Sequence, residues 1–94
     1  MRYSAFMNYL RGRGCQETFV RLCMDRVQKI EYAFGKDIDD LVSDDVATYK
    51  TLTELGYRIE KDDLDNYQNA VKHYYKMAHG CECPVRVPGN RRLK

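Results

Sequence analysis

The side chains best able to do chemistry here are two histidines, His73 and His79, and four cysteines, Cys15, Cys23, Cys81 and Cys83. Metal binding is the first chemistry to weigh. The run His79-Gly80-Cys81-Glu82-Cys83 offers three soft ligands, with His73 close by. Structural zinc sites space their cysteines by about two to four residues and draw four ligands from two elements. Here the cysteines stand one apart and the second pair is missing. The simpler reading is a helix end followed by a thiol-bearing tail, so no metal and no other cofactor is expected. Catalysis is the second chemistry. There is no Ser-His-Asp pattern, no glycine-rich phosphate loop and no HExxH. The acids of the middle segment fall mostly in first turns of expected helices, where the helix dipole explains them. The chain is expected to be no enzyme.

The third chemistry is phosphate neutralisation. Lys72, Lys76 and His79 follow at spacings of four and three, which puts them on one helix face, flanked by His73 and preceded by Asn69. Arg21, Gln28 and Lys29 lie off the apolar stripe of an earlier helix, and Arg11 and Arg13 precede it on a glycine hinge. Cations on one surface of a helical domain bind a phosphate backbone by releasing its counterions, with little sequence choice. The overall charge of +2 conceals a strong asymmetry: +4 over residues 1–36, −7 over 37–65 and +5 over 66–94. If the two basic segments lie together, the domain has a basic face and an acidic back, which suits a polyanion. The alternative is that the two signs neutralise each other as solvated faces and internal pairs.

These residues must be positioned by few elements. A chain of 94 residues and 11.1 kDa holds one small domain. With 44% hydrophobic residues and eight tyrosines it is not a disordered chain. No apolar run approaches the roughly 20 residues that cross a bilayer, and the first residues do not form a signal peptide. A soluble cytoplasmic protein with free thiols is expected, with Cys23 packed as a small hydrophobe. Four helices are expected. The first runs from about Ser4, as N-cap, to Arg11. The second covers Gln16 to Phe34, with Phe19, Cys23, Val27, Ile30 and Phe34 on its apolar stripe and Gly35 as its stop. Ile38 to Val42 read as a connector with its apolar residues tucked inward. The third helix is capped by Ser43, carries Val46, Tyr49, Leu52 and Leu55, and stops at Gly56. The fourth starts at Asp62, carries Leu64, Tyr67, Val71, Tyr74 and Ala78, and stops at Gly80. No segment alternates with a period of two, so the fold class is all-α: a four-helix bundle over residues 1–80 with a flexible basic tail over 81–94.

The order of a short aromatic-bearing helix, a glycine turn and CQETFVRLCMDRVQKIEYAFGKDIDDL resembles the start of the core-binding domain of phage-integrase-type tyrosine recombinases. Thr18 matches the threonine that opens the long helix in that family. Asp37-Ile38-Asp39-Asp40-Leu41 matches its acid-apolar step. LDNYQNAVKHYYKMAHG looks like its closing helix at Asn69, Ala70, Lys72, Tyr74, Tyr75 and Gly80. The resemblance covers about residues 4–80. It implies a SAM-like four-helix module that clasps double-stranded DNA with its second and fourth helices, here through Arg21, Gln28, Lys29, Lys72, His73 and Lys76. The recombinase catalytic domain is absent from this sequence, so the chain is either a fragment of a longer enzyme or a stand-alone relative. The alternative from another class is a small helical protein–protein module, in which self-association would use the tyrosines.

Overall fold

The structure is a computed structural model that describes residues 1–85. Among the described residues it is all-helical, as expected, but with five helices instead of four: α1 (Tyr3–Gly12), α2 (Glu17–Phe34), α3 (Ile38–Leu41), α4 (Asp45–Arg58) and α5 (Lys61–His79). The extra helix is the acidic connector. Asp37 caps it by accepting a hydrogen bond from the Asp39 amide at 2.9 Å, and the Ile38 amide donates to Glu31 Oε2. Ile38, Leu41 and Val42 are buried, as their apolar character demands.

α2 supplies the longest seam of the core. Val20, Cys23, Met24, Val27 and Ile30 recur at helical spacing and are all buried. Phe19, expected on this stripe, is displaced to its edge and remains 37% exposed. α5 answers with Leu64, Ala70, Val71, Tyr74 and Tyr75, and it packs most extensively against α2 and α4. The Phe6 ring of α1 meets the Tyr74 ring edge-on, with centroids 4.9 Å apart. Gly35 and Gly80 end α2 and α5 in the left-handed conformation, at φ 67° and 75°.

Four boundaries differ from the sequence reading. α1 begins before Ser4, because tertiary contacts fix the chain there. The Met1 ammonium pairs with Glu31 and Asp37, and the Arg2 amide donates to the Tyr74 hydroxyl at 2.8 Å. α4 is capped by Asp44 and not Ser43: Asp44 Oδ1 accepts from the Ala47 amide at 2.8 Å. α4 also runs through Gly56 to Arg58. Arg58 is held there by a hydrogen bond to the Ala33 carbonyl, an ion pair with Glu54 and the face of the Phe34 ring. α5 starts at Lys61 with Glu60 as its cap residue.

The expected apolar stripe of α4 is corrected as well. Val46 is 64% exposed and Tyr49 48%, while Thr48, Thr51, Leu52 and Leu55 form the buried side. A strict spacing of three falls behind the 3.6-residue turn by about 60° per step, so such a series winds off any single face. The buried threonines are tolerated because their hydroxyls find carbonyls: Thr48 bonds to Asp44, and Thr51 lies within bonding distance of Leu41 and Ala47.

Candidate nucleic-acid interface

α2 and α5 lie side by side. Phe19, near the start of α2, meets His73 in an edge-to-face contact at 5.6 Å, while Lys29, near its end, lies close to Tyr67 in the first half of α5. The two helices therefore run antiparallel. They come from the two basic segments of the sequence, and the residues between those segments form the acidic α3, α4 and the first turn of α5.

The expected site residues divide over two neighbouring grooves. Arg11, Arg21 and Gln28 line a shallow groove between α1 and α2, together with Glu17 and Asp25. Arg13, His73 and Lys76 gather at the other edge of α2, where the turn after α1 meets the last turns of α5. The Arg13 guanidinium sits over the Tyr9 ring at 5.5 Å. Burial, and after it the positive charge of Arg13, hold His73 below the ordinary imidazole range despite the opposing pull of Glu82. The shift favours the neutral imidazole, which offers a hydrogen bond and a ring face beside the lysines that His73 flanks. Asn69, Lys72, His73 and Lys76 fall on the outer side of α5, with Asn69 exposed and the other three half-buried.

Several of the cations are already engaged. Arg11 makes a two-pronged contact with Glu17, at 2.6 and 3.1 Å. Lys29 pairs with Asp25 one turn back at 3.0 Å. Lys76 pairs with Glu82 beyond the end of α5. These hydrogen bonds raise the pKa of Arg11 and of Lys29 and lower that of Glu82 and of Glu17. Arg13, Arg21 and Lys72 have no carboxylate partner among the described residues. Sequence reasoning missed Arg26 and Phe19. Arg26 is half-buried, close to both Cys23 and Lys29. Its place seven residues after Phe19 was the available signal, because two turns bring a helix back to nearly the same side.

The weak metal candidate is not assembled. Among the described residues no three His, Cys, Asp or Glu side chains converge on a common point. His79 Nε2 is engaged with the Val42 carbonyl at 2.7 Å and its ring lies on Tyr75. Cys81 is exposed and Cys83 packs against the core. Val85 packs there too, so the first residues of the expected tail touch the bundle, and residues 86–94, with four of its cations, lie outside the described residues. All four cysteines are free thiols, and burial pushes Cys23 up to about 11. No described helix is long and apolar enough to cross a membrane. No protein-family model, no curated protein and no solved structure matches this chain.

Proposed function

We propose that this chain is a non-catalytic module that binds duplex DNA through the surface where α2 and α5 run side by side, in the manner of a recombinase core-binding domain. The observation that carries this reading is the antiparallel pairing of the two helices from the basic segments. Arg13, Lys72 and Arg26 contact phosphates there, and Arg21 does so from the neighbouring groove between α1 and α2. Phe19 and the neutral His73 supply an apolar and hydrogen-bonding patch between them, and Gln28 and Asn69 reach toward the groove on either side. Arg11, Lys29 and Lys76 contribute less, because each must first exchange a carboxylate for a phosphate. With so few unpaired cations the binding is weak and sequence-tolerant. The compartment that goes with this reading is the cytoplasm.

The test is an equilibrium titration of labelled duplex at low salt with the native chain and with Arg13→Glu/Lys72→Glu. The native chain binds, and the double variant loses at least about tenfold in affinity, from two lost phosphate contacts and two added repulsions. Equal affinity of the two proteins overturns the assignment of this surface.

A further inference from the structure

The outer side of α4 carries exposed apolar residues that no other described element of the bundle covers. Val46, Tyr49 and Tyr57 are 64%, 48% and 83% exposed, and with Thr53 they follow at spacings of three, four and four. That series stays within one face of a helix. It points away from Thr48, Thr51, Leu52 and Leu55, which α4 turns toward the core. Two further features lie on this side. Thr53 Oγ1 is shielded from solvent with no hydrogen-bond partner among the described residues. Gly56 stands exposed inside the helix, where glycine costs about 1 kcal/mol relative to alanine.

We propose that this face pairs with the same face of a second copy of the chain, the two α4 helices crossing antiparallel about a twofold axis near Leu52. The occupant follows from charge. Lys50 and Glu54 stand on one flank of the stripe, one turn apart and on opposite sides of Leu52. A twofold axis perpendicular to the helices brings the same flanks of the two copies together, so each Lys50 meets the other copy's Glu54, and this occurs twice. Glu54 gives Oε2 to Arg58 of its own chain and has Oε1 for the lysine. In the same register Val46 faces Tyr57, and Tyr49 lies over Gly56, whose missing side chain admits the ring. A parallel pairing, about an axis running along the helices, would set the Lys50 and Glu54 flank of each copy against the other's Tyr49 and Gly56, where neither charge finds a partner. The charge pattern therefore selects both the partner and the direction.

The 14-residue α4 is about 21 Å long. One helix face of that length buries less than the roughly 1,200 Å² of a stable interface, so the dimer is weak, with a dissociation constant on the order of 100 µM.

Sedimentation equilibrium of the full chain from about 10 µM to 1 mM, at low salt and without DNA, tests this. The native chain passes from monomer to dimer across that range. Tyr57→Glu stays monomeric, and so does the milder Tyr57→Ser. Circular dichroism of each dilute variant matches the native chain, since the residue is exposed. Lys50→Glu weakens the dimer about tenfold, and Lys50→Glu/Glu54→Lys restores it. A native chain that is monomeric at about 1 mM overturns the proposal, as does a dimer indifferent to Tyr57→Glu. A charge exchange that fails to restore pairing overturns the antiparallel register.

Discussion

The salt dependence of DNA binding separates the cations that matter from those already satisfied. Each phosphate neutralised by a protein cation contributes about 0.9 to the slope of log K against log salt. A cation tied to its own carboxylate contributes far less, because the pair enters the field of the duplex as a near-neutral unit. Arg13 and Lys72 have no carboxylate partner among the described residues, whereas Arg11 is held by Glu17 and Lys29 by Asp25. Arg13→Gln/Lys72→Gln is therefore expected to flatten the slope by about 1.8, two contacts at 0.9 each. Across a fourfold rise in salt, from about 50 to 200 mM, that difference alone amounts to roughly 12-fold in affinity. Arg11→Gln/Lys29→Gln is expected to change the slope by less than about 0.5, although it removes the same formal charge. Fluorescence anisotropy with a short duplex at four or five salt concentrations gives each slope. Comparing variants cancels the contribution of the cations beyond residue 85, which all the proteins share. Equal changes for the two double variants would refute the reasoning, since net charge and not the pairing of each cation would then control binding.

Three further outcomes test the fold that carries this surface. Tyr74→Phe removes the hydroxyl that accepts from the Arg2 amide and donates to Asp39; a loss of about 1–2 kcal/mol is expected, read as a drop in thermal midpoint, and an unchanged midpoint would show that this link contributes nothing. Cys23, buried and pushed up to about 11, is expected to alkylate far more slowly at neutral pH than exposed Cys81, as resolved by mass spectrometry of timed samples; comparable rates would contradict the packing of α2. The Met1 ammonium is raised above its usual 8.0: burial opposes its charge, but hydrogen bonds to Asp37 and Glu31 together outweigh that. Its contribution, about 1 kcal/mol after allowing for screening by water, is present below pH 8 and is lost as the pH rises through the higher folded value. Thermal midpoints should therefore fall above pH 8 more steeply for the native chain than for chain acetylated at this amine, and parallel pH profiles would remove the ammonium from the account.

Helix existence was legible in the sequence because burial writes its period into the chain. The stripes of α2 and α5 and the stops at Gly35 and Gly80 needed only the 3.6-residue repeat and the tolerance of glycine for positive φ. What the sequence hid was decided by long-range contacts. Ser4 is a better cap than Arg2 by residue type, yet the chain turns helical earlier because Tyr74 and Asp39 hold Arg2. Gly56 looks like a stop, yet α4 passes through it to a guanidinium anchored on α2. In the candidate site, the sequence put cations on α2 and α5 but could not foresee which of them are tied to carboxylates. Lys76 and Glu82 are six residues apart, a spacing no helix face brings together, and they meet only because the chain reverses after Gly80. Arg21 and Lys29 fall eight residues apart on α2, close enough for a shared face to be expected. Arg21 nevertheless turns to the α1 groove, while Lys29 stands nearer α5.

The two proposed surfaces predict a coupling that neither gives alone. α5 packs against both α2 and α4, and the exposed stripe of α4 points away from the core that these helices share. Two copies joined through α4 therefore leave both α2–α5 surfaces open, and a duplex long enough to reach both is held twice. The second contact is intramolecular, with an effective concentration in the millimolar range for short connections. Native chain near its dimerisation constant should bind a long duplex tighter than a short one by at least about tenfold per chain. Tyr57→Glu should abolish that length dependence while leaving the short-duplex affinity unchanged, because Tyr57 is an exposed residue of α4, a helix with no residue assigned to DNA. Equal loss on both duplexes would mean that α4 itself meets the nucleic acid. The acidic segment to which α4 belongs argues against that, since its carboxylates would face phosphates at close range.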